Sequence, residues 1–369
     1  MPTFLLFSHD GYGLGHARRN TLIARALLAL EPASRVILVT GSAVRPRWLQ
    51  DERITVVFVP ALVKNADGVY QATGESFEST LDRRADAFEH VVARSRPDVV
   101  LVDRHPFGIA GELRAGLELA RTNGSRLLLG LRDVLDEPAA IAHELAGDGW
   151  AGAADVYSNA LVYGGPSLCD HEREYEIPLP VAYCGWVTSS ARRRAVDPSL
   201  LVVTAGGGGD GDDVFRLGLE LLQERPEKRG LVIAGPYAKR GLMLENSRLG
   251  RRIALEEAPD GCADVFAAAG GVLQMGGYNT TFEALAAGAR PIIVPRRTPR
   301  REQVIRASRL AALGLADVVD AGVAGHEVSW LLDRPRRLGA AALERAGISL
   351  DGARHAASHV LATAQVASR

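Results

Sequence analysis

Short apolar runs and segments of helical apolar spacing alternate along the first half of the chain. Apolar residues recur at helical spacing after the first run, from Leu22 to Leu30, and this spacing predicts an amphipathic helix. Further helices are predicted over Leu81–Arg94 and Ile109–Arg121. The runs themselves predict buried strands at Thr3–Ser8, Arg35–Thr40, Ile54–Val59, Asp98–Val102 and Arg126–Gly130. Strands that alternate with helices in this way predict a parallel sheet covered on both faces.

The same alternation restarts after a polar, basic segment, Thr188–Pro198, which we interpret as a linker. Before it, Val156–Tyr163 and Val181–Cys184 are expected to be the last strands of the first half. After it, strands are predicted at Leu200–Thr204, Gly230–Ala234, Ile253–Glu256 and Pro291–Val294, and helices at Asp213–Glu224, Cys262–Ala268, Glu302–Leu313 and Ala353–Ala367. The pattern therefore predicts an α/β protein of two doubly wound, Rossmann-like domains that face each other across a cleft.

The length of 369 residues fits two domains, each large enough to bury its own core. We expect an N-terminal domain over residues 1–187 and a C-terminal domain over residues 199–350. Residues 351–369 are expected to form a C-terminal helix that packs back on the N-terminal domain. The polar stretch Lys64–Ser79 is expected to be a loop over the cleft.

Charge and cysteine content narrow the functional classes. The net charge of −1 provides no electrostatic reason to expect a nucleic-acid partner. Three cysteines without CxxC spacing fit a reducing compartment. The N-terminus is expected to be a strand rather than a signal peptide, and no apolar run approaches the roughly 20 residues that span a bilayer. These features predict a soluble, cytoplasmic protein.

The stretch Gln274–Pro295 contains the strongest candidate binding element. A glycine pair, Gly276–Gly277, precedes a helix expected to begin at Asn279 or Thr280, whose side chains could cap it. Glycines before a helix N-terminus let an anion approach unpaired N–H groups at the positive end of the helix dipole. Glu283, expected in about the first turn, could accept hydrogen bonds from sugar hydroxyls. The stretch indicates either a sugar–phosphate site or a glycine turn before an ordinary amphipathic helix.

The first glycine-rich loop does not match a dinucleotide-binding fingerprint. Gly11, Gly13 and Gly15 form GxGxG rather than GxGxxG, and no acidic residue follows the second predicted strand. The chain also has no GxxxxGK[ST], HExxH or GxSxG motif. These absences argue against a P-loop NTPase, a metalloprotease of that type and an α/β-hydrolase.

His16 and Asp103 are the candidate catalytic residues. Both follow predicted strands of the first half, where parallel sheets bind their ligands. An imidazole can act as a general base near neutral pH, and a carboxylate can orient it. The alternatives are a surface or helix-capping histidine and an ion pair between Asp103 and Arg104.

Three further polar residues, His105, Arg132 and Asp133, follow strands at the same predicted sheet edge. They are candidate acceptor-binding residues or ordinary polar loop residues.

A second glycine loop, Ala205–Gly211, again joins a strand to a helix and could hold phosphate on its N–H groups. The aspartates within Asp210–Asp213 are expected to cap the following helix rather than to bind Mg²⁺, so no metal site is predicted. Glu302 and Gln303 could bind sugar hydroxyls or could simply complement a helix N-terminus.

Three motifs resemble segments of the GT-B glycosyltransferases, most closely the family 28 group that includes MurG. They are SHDGYGLGHARR at 8–19, VVTAGGGGDG at 202–211, and QMGGYNTTFEALAAGARPIIVP at 274–295 with the REQ at 301–303. LVDRHPFG and LGLRDVLDEP are similar to segments of uncharacterised bacterial predicted glycosyltransferases. The resemblance spans most of the chain.

The resemblance implies a C-terminal domain that binds a nucleotide-sugar and an N-terminal domain that binds the acceptor. Glu283 would hold the ribose, and Gln303 with Glu302 would hold the donor sugar. His16 would be the base or would contact the leaving group, with Gly13 and Gly15 in its loop. The second loop departs from MurG, because it has aspartates in place of a serine and a glutamine. The diphosphate would lie against Gly206, Gly207, Gly208, Gly276, Gly277, Asn279 and Thr280.

The predicted activity is an inverting, metal-independent transfer from a nucleotide-diphosphate sugar, with a UDP-sugar favoured. No cofactor beyond this co-substrate is expected. The first loop also reads GxGHxxR, which looks like the PseG-type UDP-sugar hydrolases. A hydrolase, an epimerase and a non-catalytic nucleotide-sugar-binding protein are therefore the alternatives. The acceptor is open, and a lipid-linked one would place the protein at the inner membrane face.

Overall fold

The computed structural model describes residues 1–9, 14–42, 44–64, 70–72, 74–207, 211–235, 250, 252–256, 261–339 and 341–367. The chain divides into two compact units. Unit 1 combines Met1–Val187 with Asp351–Arg369, and unit 2 is Thr188–Leu350. Within the described residues, no helix is both long enough and apolar enough to cross a bilayer.

Unit 1 contains a parallel sheet in which the strands lie in the order β3-β2-β1-β6-β7-β8-β9. Its members are β1 (Thr3–Ser8), β2 (Arg35–Thr40), β3 (Ile54–Phe58), β6 (Val99–Asp103), β7 (Arg126–Arg132), β8 (Asn159–Tyr163) and β9 (Val181–Tyr183). A separate antiparallel hairpin consists of β4 (Leu62–Lys64) and β5 (Tyr70–Ala72).

Helices cover this sheet. They are α1 (Gly15–Leu30), α2 (Phe77–Ser95), α3 (Arg114–Thr122), α4 (Pro138–Leu145), α5 (Ala153–Val156) and α6 (His171–Glu174), together with a 3₁₀ turn at Arg47–Leu49. The central strands are buried on both faces, as Phe4, Leu5 and Leu6 at 0% exposure show. This is the expected environment of a continuous apolar run in a parallel sheet.

The strand order of unit 1 reverses between β1 and β6, which pair in parallel. Chain connections leave in opposite directions on the two sides of such a switch point. The carboxyl ends of the two strands therefore border a crevice where doubly wound folds bind ligands. His9 and α1 follow β1, and Asp103 is the last residue of β6.

Unit 2 repeats the same order over β12-β11-β10-β13-β14-β15. The strands are β10 (Asp197–Thr204), β11 (Arg229–Ile233), β12 (Ile253–Glu256), β13 (Ala269–Gln274), β14 (Ile292–Ile293) and β15 (Asp317–Val318). Its helices are α7 (Asp212–Glu224), α8 (Ala263–Ala268), α9 (Tyr278–Ala286), α10 (Glu302–Ala312), α11 (Gly325–Val328) and α12 (Ala342–Arg345), with a 3₁₀ turn at Ser329–Asp333.

The switch point of unit 2 lies between β10 and β13, which also pair in parallel. Helix α7 packs closely on this part of the sheet at Gly218, where a Cβ would lie 2.8 Å from the methyl carbons of Val203. Leu201, Val203 and Leu273 are buried beneath it. The predicted α/β fold with two doubly wound, Rossmann-like units is thus confirmed.

The final helix, α13 (Gly352–Ala367), belongs to unit 1. It packs along α1 and against β6, β7 and β8. An isolated antiparallel bridge joins Val187 to Asp351 at the point where the chain re-enters the unit. Ala356, Ala357 and Val360 bury their side chains there.

Several predicted segments differ in detail from the structure. The helix predicted over Ile109–Arg121 is observed as α3 (Arg114–Thr122), and β10 begins at Asp197, within the predicted linker. The stretch Lys64–Ser79, predicted to be a loop, contains β5 and the beginning of α2 among its described residues. The region Val156–Tyr163, predicted to be one strand, is the end of α5 followed by β8. These last two segments are too short or too polar for apolar periodicity to define them.

Candidate functional site

An imidazole–carboxylate pair lies at the switch point of unit 1. His16 is in the first turn of α1, and Asp103 ends β6. The His16 Nδ1 atom is 3.2 Å from the Asp103 Oδ2 atom. The Asp103 side chain is fully buried, whereas 23% of the His16 side chain is exposed. The two predicted catalytic residues are therefore adjacent, and the imidazole has access to solvent.

Arg19 is a third member of this group. Its Nη2 atom lies 3.1 Å from Asp103 Oδ2 and 3.0 Å from His16 Nδ1. Residues three apart on a helix share a face, so α1 directs both His16 and Arg19 toward Asp103. Arg19 had not been predicted as a site residue. Its only sequence signal was its position three residues after His16 in GxGHxxR.

The surroundings of Asp103 keep its carboxylate charged. Burial alone would raise its pKa, but Arg19 and then His16 outweigh that effect and lower the pKa to about 2. Asp103 is therefore an anion throughout the neutral range and can accept a hydrogen bond from the ring of His16.

Arg104 does not pair with Asp103, which was the alternative interpretation of that carboxylate. Its Nη2 atom donates to Glu144 Oε2 at 2.8 Å, and its backbone N–H donates to Gly130 O at 2.8 Å. Arg104 has a φ of 83°, in the left-handed region that non-glycine residues seldom occupy. The chain thus turns sharply between Asp103 and His105.

Three more aromatic or imidazole side chains adjoin this pair. The ring centroid of His9 lies 4.9 Å from that of His16 and 4.7 Å from that of His105. The Tyr70 hydroxyl lies 3.5 Å from His9 Nε2 and 3.4 Å from His105 Nε2. His105 had been predicted as a site residue, whereas His9 and Tyr70 had not. The sequence feature that could have indicated His9 is its position directly after β1. Tyr70 is the first residue of β5, whose pairing with β4 was not predicted.

His9 is held as a neutral imidazole. It is 5% exposed, and its pKa is lowered well below the ordinary value by burial first, then by the neighbouring His16 and Arg84. A neutral ring there can contact His16 without adding another charge to a crowded group of cations.

The remaining predicted acceptor-side residues have other neighbours. Arg132 ends β7 and donates from Nη2 to Leu135 O at 3.0 Å. Asp133 is buried; its Oδ1 atom accepts from Val134 N at 2.8 Å and its Oδ2 atom from Trp186 Nε1 at 3.2 Å. Gly15 is the first residue of α1, and Gly13 lies outside the described residues.

The glycine turn at the switch point of unit 2 differs in one respect from the prediction. Helix α9 begins at Tyr278 with Gly277 as its N-cap, so Asn279 and Thr280 lie inside the helix and provide no side-chain cap. The Thr280 hydroxyl donates to Gly277 O at 3.1 Å instead. Gly276 has a φ of 91°, which a glycine adopts readily. A glycine N-cap itself places no side chain over the helix N-terminus.

The second glycine loop adjoins this helix. A Cβ on Gly206 would lie 3.5 Å from the Thr280 methyl carbon, and Gly206 has a φ of 73°. Gly235, after β11, leaves no room for a Cβ beside the backbone of Gly206 and Gly207. The described part of the loop thus lies close to the start of α9, as a shared anion site requires. Gly208 lies outside the described residues.

The expected aspartate cap of α7 is not observed within the described residues. The N-cap is Gly211, which forms no side-chain cap hydrogen bond, and Asp212 and Asp213 occupy the first turn. Carboxylates there complement the helix dipole. Asp210 lies outside the described residues. Among the described side chains, no group of three or more His, Cys, Asp or Glu residues could hold a metal ion.

Glu283 lies in the second turn of α9, since the helix begins at Tyr278, and no acidic residue lies in its first turn. It is 4% exposed. Its Oε2 atom accepts from Cys262 N at 2.8 Å, and its Oε1 atom accepts from Ser189 Oγ at 3.2 Å. This carboxylate therefore joins α9 to the loop before α8 and to the segment before β10.

Glu302 and Gln303 begin α10, as predicted, and both are buried. Glu302 Oε1 lies 3.3 Å from Arg296 Nη2, and Gln303 Oε1 accepts from Arg296 N at 3.1 Å. Arg306, one turn further along α10, donates from Nη1 to Gly276 O at 3.1 Å. These contacts connect the start of α10 with the glycine turn.

Several solved structures that are similar to this chain are glycosyltransferases. Arabidopsis thaliana UGT89C1 in complex with UDP has a TM-score of 0.67 at 13% identity, covering 99% of this chain and 100% of that chain. Phytolacca americana UGT2, complexed with UDP-2-fluoro-glucose and pterostilbene, has a TM-score of 0.63 at 15% identity, with all of both chains covered. MurG of Acinetobacter baumannii has a TM-score of 0.56 at 15% identity, covering 100% of this chain and 99% of that chain.

At these identities the similarity establishes the GT-B fold and no more. No protein-family model matches the sequence. No functionally curated protein matches it either.

Proposed function

We propose that this protein transfers a sugar from a nucleotide-diphosphate sugar to an acceptor hydroxyl, with inversion at the anomeric carbon and without a metal ion. The observation that carries the proposal is the His16–Asp103 pair, 3.2 Å apart at the switch point of unit 1. A partly exposed imidazole beside a buried carboxylate is the arrangement of a general base and its orienting group. The GT-B fold supports the proposal by analogy.

In this mechanism Asp103 accepts a hydrogen bond from the Nδ1–H group of His16, and Nε2 is the nitrogen that acts as the base. Nε2 removes the proton of the acceptor hydroxyl while the hydroxyl oxygen attacks the anomeric carbon. The bond from that carbon to the diphosphate breaks, and the leaving diphosphate keeps its electron pair. Inversion follows because attack and departure occur on opposite faces of the carbon.

Unit 2 would bind the donor. The start of α9 and the neighbouring backbone of Gly206 and Gly207 would meet the negative charge of the diphosphate. Backbone N–H groups that are already oriented toward the developing charge often contribute several kcal/mol to transition-state stabilisation. Glu283 would bind the ribose by exchanging the Ser189 hydroxyl for a ribose hydroxyl. Glu302 and Gln303 would bind the sugar.

A UDP-sugar is the favoured donor, because the Arabidopsis and Phytolacca structures are complexes with UDP and UDP-2-fluoro-glucose. Cytoplasmic location, attachment to the inner membrane face and a lipid-linked acceptor stay predictions.

Incubation of the purified protein with a panel of nucleotide-sugars, without an acceptor, tests the proposal. We expect one donor to bind with little release of nucleoside diphosphate. His16→Ala should bind that donor with similar affinity. Rapid stoichiometric release of nucleoside diphosphate and free sugar would instead identify a hydrolase, the alternative suggested by GxGHxxR. Failure of every donor to bind would contradict the role of α9 and Glu283.

A further inference from the structure

We propose that Arg19 is a positioning residue for the base, sharing the carboxylate of Asp103 with His16 so that His16 is oriented but stays a neutral, proton-accepting imidazole. This inference rests on the proposed function, because it assigns Arg19 a task only if His16 removes a proton. Arg19 itself need not contact either substrate.

The three side chains form a compact triangle. Arg19 Nη2 is 3.1 Å from Asp103 Oδ2, His16 Nδ1 is 3.2 Å from the same oxygen, and Nη2 is 3.0 Å from Nδ1. A guanidinium has hydrogen-bond donors and no acceptor. When Nδ1 carries the proton, Oδ2 accepts from both Nη2–H and Nδ1–H, and Nε2 of His16 is the basic nitrogen.

Burial fixes Arg19 in this position. The residue is 3% exposed, and its guanidinium carbon lies 5.7 Å from the ring centroid of Tyr163. Tyr163 is itself fully buried against Gly130, where there is no room for a Cβ. Arginine does not lose its proton in proteins. The positive charge beside Asp103 is consequently permanent.

That permanent charge determines what Asp103 does to His16. A buried carboxylate with an imidazole as its only close partner favours the doubly protonated ring, because an unpaired buried charge is costly. Arg19 already neutralises Asp103, so His16 can donate one hydrogen bond and remain uncharged. The positive charge that the ring gains when Nε2 takes a proton from the acceptor would then lie beside Arg19, which favours later release of that proton.

Other titratable or charged groups lie near His16 or near its neighbour His9 in the described part of the chain. His9 lies against the His16 ring, Arg84 and Arg104 influence His9, and Tyr70 bridges His9 and His105. Within the described residues near this group, Glu112 pairs with Arg84 and Glu144 pairs with Arg104. Asp103 is therefore the carboxylate that Arg19 and His16 share.

Two variants separate the charge of Arg19 from its shape. Arg19→Met removes the charge, and Arg19→Lys keeps it. We would record the ¹⁵N signals of the His16 ring in histidine-labelled protein against pH, assigned with His16→Ala, because neutral and doubly protonated rings differ clearly. In Arg19→Met we expect His16 to hold its second proton to a pH at least about one unit higher than in the wild type. At neutral pH this shift would lower turnover, because a smaller fraction of the protein would carry the neutral imidazole. In Arg19→Lys the neutral ring should persist.

An unchanged protonation midpoint of His16 in folded Arg19→Met would overturn the inference, as would an equal change in Arg19→Lys. If Arg19→Met does not fold, Arg19→Gln, which also removes the charge but keeps a side-chain hydrogen-bond donor, takes its place. Equal protonation midpoints of His16 in folded Arg19→Gln and in the wild type would refute the proposal. The spectra need no donor, so a failure of the proposed transferase activity would be seen separately in the nucleotide-sugar panel.

Discussion

Arg306 of α10 donates from Nη1 to the backbone oxygen of Gly276 at 3.1 Å, while its side chain is 1% exposed. Its guanidinium carbon also lies 5.8 Å from the ring centroid of Tyr278, the first residue of α9. One buried arginine therefore links α10 to the glycine turn at which the diphosphate is proposed to bind.

Replacing Arg306 should weaken both the fold of unit 2 and donor binding. Arg306→Leu removes the donor to Gly276 O, and loss of a buried hydrogen bond typically costs about 1–3 kcal/mol. Denaturant unfolding would measure the stability, and titration with the donor found in the nucleotide-sugar panel would measure affinity. Ser308→Ala, an exposed change on the same helix, is the control. If Arg306→Leu bound the nucleotide-sugar as tightly as Ser308→Ala does, the glycine turn at Gly276 would have no part in donor binding.

His16→Ala should lower turnover by about 10²–10⁴-fold while changing donor affinity little, because a general base acts in the transition state. Asp103→Asn should also reduce turnover, since an amide can present the wrong group to Nδ1. Steady-state kinetics with separate donor titration would measure both effects. Parallel losses of turnover and affinity in His16→Ala would remove it as the base.

Glu283→Gln should destabilise unit 2 and weaken donor binding. The amide offers one acceptor oxygen where the carboxylate receives hydrogen bonds from Cys262 N and Ser189 Oγ. We expect a loss of roughly 1–3 kcal/mol in unfolding free energy. Ser189→Ala separates the two roles, because it removes one partner and leaves the carboxylate available to a ribose. Normal donor affinity in Glu283→Gln would contradict the ribose assignment.

Stability should decrease as the pH falls below the ordinary histidine range, because of His9. Its folded pKa is lowered well below 6.5, so the unfolded chain binds a proton more readily and stability rises with pH through this window. His9→Gln should flatten that part of the profile measured by thermal unfolding. Asp103 contributes in a separate window, since its pKa of about 2 lies below its ordinary value. That contribution is present above pH 4 and is lost as the pH falls toward 2.

The architecture was predictable because the strands that form each sheet centre are continuous apolar runs. Thr3–Ser8 and Arg35–Thr40 were predicted with the observed bounds. The adjacency of His16 and Asp103 was predictable for a related reason. Both residues follow strands on the two sides of a switch point, and parallel strands bring their carboxyl ends to one edge.

What the sequence did not reveal depends on contacts between distant segments. An arginine on an amphipathic helix has the pattern of an exposed residue, so the burial of Arg19 against Asp103 was not expected. Tyr70 reaches the histidines only because β4 and β5 pair. Asparagine and threonine are preferred caps, but α9 begins two residues before Thr280, at Tyr278. Nothing in the sequence around Glu283 indicates that its carboxylate accepts hydrogen bonds from Cys262 N and Ser189 Oγ.

The return of α13 to unit 1 affects the order in which the two units can mature on the ribosome. Residues 188–350 of unit 2 are synthesised before α13, whereas unit 1 contains residues from both ends of the sequence. The faces of α1 and of the sheet that α13 covers stay open until Ala356, Ala357 and Val360 have emerged. The nascent chain can thus complete its second unit before its first, and the newborn first unit exposes an apolar surface for the whole of that interval.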